Sequence, residues 1–431
     1  MNKKRIDKFS HIFIFIFIFI FLVNGRSFLG IYIYSFRIAE LLIGFSIIFI
    51  GYTLLKVNFF KKYINLKSIS FFWILVIYFL LVNYINKDAL SNLYLYQSSV
   101  FIWYVSFLFV GCLIFDNVVI TKKYFYFGYF GLLLQFVFNV LYYPQFLTYF
   151  FDTYSDKTQF LKGSEIAIFF IVVTFFSNRY FKKGFMVDLF VFFSSFYLPL
   201  MFFKSRAGGI AIALYFIFEV LKHRKYFIKD LKKTTILIVL SIISFTLSSF
   251  YIVDFSIEFK KAPLAVEQVV KHKYVISNTY DDEESLIFYR DNRFYSADGN
   301  LNWRFQLWQD VIFYTIDEDK FLIGHGFGEK LPMFNTPWYA GLDGSNENTH
   351  NFFINTYSKS GIIGLILLLF FYYFIFKQKK LMSNKDFLTY IVPLFIISMF
   401  DGAMENPYFG IVFYFFLSSF FTGIEFKKEI R

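Results

Sequence analysis

Three short polar patches carry the side chains of this chain that could do chemistry. They are Lys204-Ser205-Arg206-Ala207-Gly208-Gly209, the stretch from Asn302 to Asp310, and Asn348-Thr349-His350-Asn351. The planar guanidiniums of Arg206 and Arg304 suit bidentate binding of phosphate. The imidazole of His350 can take a proton from a hydroxyl group at neutral pH. The patches together would serve a reaction between an anionic leaving group and a hydroxyl nucleophile.

The elements that must position these patches are apolar. Of the 431 residues, 57% are hydrophobic, 25% are aromatic and only 17% are charged, and the mean hydropathy is +0.53. This composition excludes a soluble globular domain and predicts an all-α integral membrane protein. The one cysteine, Cys112, lies in an apolar run, so the sequence predicts neither a disulfide framework nor a thiolate metal cluster.

Apolar runs of about 20 residues predict about twelve transmembrane helices. We place them near 12–23, 31–55, 69–85, 97–115, 124–143, 165–181, 185–203, 207–221, 234–252, 352–376, 386–403 and 407–424. The basic residues before the first run resemble a secretory signal peptide. Its exit, Leu22-Val23-Asn24-Gly25-Arg26, lacks a small-x-small cleavage pattern, so we interpret it as a retained anchor.

The placement of Lys and Arg tests this topology, because such residues accumulate on the cytoplasmic side of membrane proteins. With both termini inside, the inner segments carry 26 basic residues and the short outer connections carry 6. The chain, 1–431, is then a single polytopic domain in the bacterial inner membrane, with a large periplasmic loop, 254–349, between helices 9 and 10. The net charge of +12 reflects this bias, and we predict no nucleic-acid partner.

Each patch also has a structural interpretation. Arg206 could be an interfacial arginine that snorkels to the membrane surface, and a single histidine such as His350 is more often structural. Apolar positions 305, 308, 311 and 312 predict an amphipathic helix carrying Arg304. The Gly-x-Gly-x-Gly run at 324–328 could cradle phosphate oxygens, but a plain tight turn is the favoured interpretation.

The order of the motifs resembles a known family. Ser-Arg-small-small is followed by Arg-x-x-x-Trp with Gly-x-Gly-x-Gly downstream, then by His-Asn with Gly-x-x-Gly at 361–364. This pattern resembles the O-antigen ligase and O-antigen polymerase superfamily in the second half of the chain, and the topology is similar throughout. One position departs from it: Lys359 stands where the family often has Glu, nine residues after the histidine.

The resemblance implies a glycosyltransferase of the GT-C type that acts on undecaprenyl-diphosphate-linked glycans at the periplasmic face. Arg206 and Arg304 would hold the diphosphate, and His350 would act near the acceptor hydroxyl. Lys204, Trp308 and Asn351, beside these residues, are predicted as further substrate-binding positions. Glu405, in the last outer connection, could face the same cavity. Membrane lipid is an expected partner, and the resemblance alone suggests a chain-length regulator.

Three functions stay open on these residues. A polymerase joins one lipid-linked repeat unit to another, and we favour it because such polymerases tend to be rich in Phe, Ile and Tyr with divergent motifs. A ligase instead transfers the glycan to the lipid A core. A lipid-linked oligosaccharide flippase is less favoured, because transporters usually have short connections and paired charges in mid-membrane.

We predict an enzyme that needs neither metal nor cofactor. Two arginines can stabilise a diphosphate leaving group without a metal ion. Metal-dependent enzymes of this fold class place a carboxylate pair in the first outer loop, and residues 24–30 contain no Asp or Glu. Asp317-Glu318-Asp319 has a metal-motif spacing but is interpreted as a solvated run at a helix end.

Overall fold

The computed structural model describes residues 3–18, 20–21, 25–141, 143–156, 162–180, 183–253, 287–336, 339, 346–377, 383–422 and 425–426. Residues 254–286 and 340–345 of the predicted outer loop lie outside the described residues. The α-helices are α1 (Lys3–Ile18), α2 (Gly25–Leu29), α3 (Ile38–Leu55), α4 (Val57–Phe60), α5 (Leu66–Ile85), α6 (Leu93–Ser98), α7 (Val100–Tyr104), α8 (Ser106–Phe115), α9 (Lys122–Phe136), α10 (Gln145–Tyr154), α11 (Gly163–Tyr180), α12 (Lys183–Lys204), α13 (Arg206–Lys222), α14 (Arg224–Lys229), α15 (Leu231–Val253), α16 (Gly299–Asp317), α17 (Phe352–Lys377), α18 (Asn384–Asp386), α19 (Val392–Asp401) and α20 (Pro407–Ser418).

Short elements complete the described chain. The strands form three two-stranded sheets: β1 (Tyr32–Ile33) with β2 (Phe36–Arg37), β3 (Val119–Ile120) with β6 (Glu425–Phe426), and β4 (Ile287–Arg290) with β5 (Arg293–Ser296). The first and third pairs are antiparallel and the second is parallel. Single turns of 3₁₀-helix lie at Pro332–Asn335 and Ala403–Glu405, and π-helical turns at Val137–Leu141 and Phe387–Ile391.

These helices make the protein a multi-pass, all-α membrane protein. Among the described residues, five helices are long and apolar enough to cross a bilayer, or six if the pair bent by 87° between residues 140 and 145 is one span. A helix also lies at each of the twelve predicted positions, but several of these are short or broken. The count of twelve spans therefore stays a prediction.

The helices pack through aromatic side chains. In the described part of the bundle α12 contacts α13 and α15, α20 contacts α8, and α17 contacts α5. The phenol oxygens of Tyr372 and Tyr414 lie 2.6 Å apart in the buried core. Such pairing matters in a membrane, because an unpaired polar group is costly where no water can reach it. The many Phe and Tyr side chains of the sequence thus form a tightly packed interior.

A small second core lies in the outer segment. Helix α16 buries Leu307 and Val311 against Leu331, Phe334 and Tyr339. A helix therefore lies around Arg304, as predicted, and Asp298 forms its N-cap. Of the apolar positions on which that prediction rested, 305, 308, 311 and 312, only Val311 is fully buried. The β4–β5 hairpin packs on the same helix and was not predicted, since it is attached to α16 by side-chain contacts such as the 3.1 Å hydrogen bond from Arg293 Nη1 to Gln306 Oε1 rather than by a local pattern.

The Gly-x-x-Gly segment is not a continuous helix. Gly361 has φ 65° and ψ −175°, so α17 breaks there, although the sequence predicted an uninterrupted span. Segment 321–326 docks into the break: the N–H of Ile362 donates to Phe321 O at 2.9 Å. A Cβ on Gly361 would lie 2.2 Å from Leu322 O, so only glycine fits.

Candidate active site

Arg206 is the first residue of α13. Ser205 caps the helix by accepting a hydrogen bond from Gly208 N at 3.2 Å. The missing side chain of Gly208 lets α13 approach the start of α11, because a Cβ there would lie 3.3 Å from the carbonyl of Gly163. Arg206 is 60% exposed, and its Nη1 forms an ion pair with Asp298. The arginine is therefore both anchored and accessible.

Asp298 connects the first two patches. Its Oδ1 accepts a hydrogen bond from Leu301 N at 2.9 Å, and its Oδ2 accepts from Arg206. Burial alone would raise the pKa of Asp298, but these two hydrogen bonds, together with the charges of Arg206 and Arg304, outweigh it and lower the pKa. An ionised carboxylate thus caps the helix that carries Arg304 and holds the other predicted arginine.

Arg304 lies within electrostatic reach of the same ion pair. Its Nε is buried and has no hydrogen-bond partner among the described residues. Desolvation lowers the pKa of Arg304, opposed by Asp401 and Asp298, while Arg206 lowers it further. Two arginines that are 98 positions apart in sequence therefore act on each other electrostatically, while the prediction that they hold a diphosphate stays a prediction.

His350 contacts α16 through Trp303. The ring centroids of Trp303 and His350 are 5.5 Å apart, edge to face, and Trp308 Nε1 donates to Thr349 O at 2.8 Å. His350 has φ 52°, an unusual conformation that is stabilised by its N–H donating to Asn348 Oδ1 at 3.0 Å. Since Trp303 precedes Arg304, α16 brings the arginine and the histidine patches together.

The other predicted substrate-binding residues have structural contacts. Asn351 Oδ1 accepts from Phe353 N at 3.0 Å and caps α17. Trp308 is partly buried, and its ring lies 5.9 Å from that of Phe400. Lys204 ends α12, two residues before Arg206, and is partly buried. These contacts show how each residue is held; their contact with substrate stays a prediction.

The glycine-rich run is a packed turn. The N–H groups of Phe327 and Gly328 donate to Asp88 Oδ2 at 3.1 and 3.0 Å. Those of His325 and Gly326 donate to the carbonyls of residues 358 and 359 at 2.9 and 3.0 Å, and Gly324 N donates to Lys320 O. Every N–H from 324 to 328 is thus used inside the protein, which supports the tight turn over a phosphate cradle.

A buried polar cluster lies beside the turn after α19. Lys359 is 2% exposed, and its Nζ lies 5.3 Å from the ring centroid of Tyr94 with no hydrogen-bond partner in the described part of the chain. Glu405 accepts from Asn355 Nδ2 at 2.8 Å. Burial raises the pKa of Glu405 to about 7, against that hydrogen bond and the charge of Lys359. The departure at Lys359 is thus accompanied by an acid on a neighbouring element.

Sequence reasoning missed Asp298 and Asp401. Both are close enough to Arg304 to act on its charge. Asp298 carried a usable signal, since Asp before an amphipathic helix is a common N-cap, but its pairing with Arg206 is a tertiary contact. Asp317, Glu318 and Asp319 are solvated, as predicted, and among the described residues no three acidic, His or Cys side chains are grouped to hold a metal ion.

Comparison with known proteins agrees with the motif order. A family model described as O-antigen ligase matches residues 189–369. That range contains Arg206, Arg304 and His350, together with the helix and loop that position them. No curated protein matches the chain at a significant level.

Proposed function

We propose, on the premise that residues 189–369 place this chain in the O-antigen polymerase and ligase superfamily, that it is an O-antigen polymerase. It would join undecaprenyl-diphosphate-linked repeat units into a polysaccharide. The observation that carries the proposal is the meeting of Arg206 and Arg304 around Asp298, with His350 against the neighbouring Trp303. The site then combines cations for an anionic leaving group with a base for a hydroxyl group.

The chemistry assigns one task to each patch. The acceptor hydroxyl oxygen attacks the anomeric carbon of the donor while the bond from that carbon to the diphosphate oxygen breaks. Negative charge develops on the diphosphate, where Arg206 and Arg304 stabilise it. His350 accepts the proton of the hydroxyl group. The two guanidiniums supply the charge that a metal ion supplies in other transferases, so we propose metal-independent catalysis.

The orientation in the membrane is part of the proposal. Twelve spans with cytoplasmic termini place α16 and His350 on the periplasmic side, where undecaprenyl-linked units are polymerised. The excess of basic residues in the proposed inner connections supports this orientation.

Cysteine labelling of intact spheroplasts tests the orientation. The native Cys112 is buried, so it gives little background. We expect an impermeant maleimide to label Glu318→Cys, an exposed residue after α16, and to label Lys229→Cys only after permeabilisation. Labelling of Lys229→Cys from outside would overturn the topology.

A reconstituted assay distinguishes polymerase from ligase. The ligase is the second candidate because the matching family model is described as O-antigen ligase. Purified protein receives lipid-linked repeat units alone, or with lipid A core. We expect a ladder of products from repeat units alone, unchanged by excess EDTA. Product only with the core identifies a ligase, and loss of the ladder in EDTA contradicts metal independence.

A further inference from the structure

The charges of Arg206 and Arg304 are opposed by two nearby carboxylates. Asp298 pairs directly with Arg206, and both Asp298 and Asp401 act on Arg304. A glycosyl diphosphate is strongly anionic, so it must bind where carboxylates already neutralise the two arginines. Binding to an unchanged cluster would be weak, because the attraction of the guanidiniums is offset by the repulsion of nearby carboxylates. At least one carboxylate must therefore give up its arginine.

Asp298 is built to make that exchange. Its two oxygens have different partners: Oδ1 accepts from Leu301 N at 2.9 Å, while Oδ2 accepts from Arg206. If Arg206 turns to another anion, the carboxylate keeps its capping bond and stays at the positive end of α16. The carboxylate would not be left buried without a partner, which is what makes breaking an ion pair costly.

Arg206 is equally suited to change partners. Its side chain is 60% exposed and long, whereas that of Asp298 is 20% exposed and fixed on a helix end. The Nε–H group of the Arg304 guanidinium has no hydrogen-bond acceptor in the described structure. A diphosphate that contacts Arg304 could therefore draw Arg206 away from Asp298 by rotation of one exposed side chain.

We infer that Asp298 is an internal competitor of the diphosphate for Arg206. It holds the arginine while the site is empty, gives it up when the donor binds, and takes it back as the diphosphate product leaves. This inference rests on the proposed function, since it assumes that Arg206 binds diphosphate. Asp298 is a positioning residue here, because it acts through Arg206 and not on the substrate.

The substitution Asp298→Asn isolates the competitor role. Asparagine caps helices about as well as aspartate, so α16 is retained while the charge is removed. Inorganic diphosphate is titrated into the purified full-length protein in nanodiscs by calorimetry. We expect Asp298→Asn to lower the Kd about tenfold, the scale of one nearby unit charge at a partly exposed site. The gain should shrink as salt is raised.

Two controls separate this effect from general charge and from folding. Asp291→Asn removes an exposed acid in the β4–β5 turn of the same outer segment and should leave the Kd unchanged. In the Arg206→Gln background, Asp298→Asn should give a much smaller gain in affinity, since the competitor has lost its direct partner and acts only through its longer-range charge on Arg304 and the anion. If Asp298 had a purely structural role, Asp298→Asn would weaken diphosphate binding, or its effect on binding would not depend on Arg206.

The outcomes distinguish the two proposals. If Arg206→Gln weakens binding but Asp298→Asn leaves it equal or weaker, the competitor role is wrong and the diphosphate site stands. If Arg206→Gln binds diphosphate as tightly as the unmodified protein, the diphosphate site is wrong and the competitor role fails with it. A gain in affinity from Asp298→Asn that is equally large without Arg206 also contradicts the inference.

Discussion

Arg304→Ala is expected to reduce chain extension about 10²- to 10³-fold, the usual cost of removing one donor to a developing anion. The guanidinium interacts electrostatically with Asp401, Asp298 and Arg206, and its Nε has no acceptor of its own in the described structure. Without the Arg304 guanidinium, Arg206 is the one proposed arginine left to stabilise the negative charge on the leaving group. The rate of ladder growth in proteoliposomes measures the effect.

Controls for this variant come from the same segment. Arg304→Lys keeps a charge but loses the planar fork, so we expect partial activity. Arg290→Ala removes a half-exposed arginine of the β4–β5 hairpin and should leave the ladder unchanged. Full activity of Arg304→Ala, with normal expression, would show that the diphosphate is held elsewhere.

His350→Ala is expected to lower the turnover rate by 10²- to 10⁴-fold while diphosphate binding persists. The histidine contacts Trp303, whereas the proposed anion site lies at Arg206 and Arg304, so its loss should spare diphosphate binding. Initial rates give kcat and KM, and calorimetry gives the diphosphate Kd. His350→Asn, which tolerates the positive φ of this position better than alanine does, controls for backbone strain.

These two variants fail in different ways if the assignment is right. Arg304→Ala should raise both the activation free energy of glycosyl transfer and the Kd for diphosphate. His350→Ala should lower mainly the turnover rate. A His350→Ala protein that has lost diphosphate binding would indicate a structural role for the imidazole. Unimpaired turnover in both histidine variants would remove His350 from the mechanism.

The helical architecture could be predicted from the sequence because apolar runs and charge bias are local signals. A helix lies at every position where a span was expected. Helix α16 begins directly after Asp298, a recognisable N-cap residue. The break at Gly361 could not be predicted, because it depends on segment 321–326 docking from a distant part of the chain. The same glycine spacing fits an unbroken helix equally well.

The sequence pointed to the candidate cations of the site but not to the acids beside them, and the role of the cations stays a prediction. Arg206, Arg304 and His350 are conspicuous because charged residues are rare beside apolar spans. Asp298 is one acid among sixteen in an acidic loop, and only the folded structure pairs it with Arg206. The burial of Lys359 and its closeness to Glu405 are likewise tertiary facts, since the two residues lie on separate elements.

Arg206 and Arg304 are proposed to form one diphosphate site beside His350. A cryo-EM structure of the protein in nanodiscs with undecaprenyl diphosphate would show whether they do. We expect the diphosphate between the two guanidiniums, with Arg206 turned from Asp298 and the Asp298 cap on Leu301 intact. Diphosphate bound away from both arginines, with the Arg206–Asp298 pair unbroken, would contradict the account.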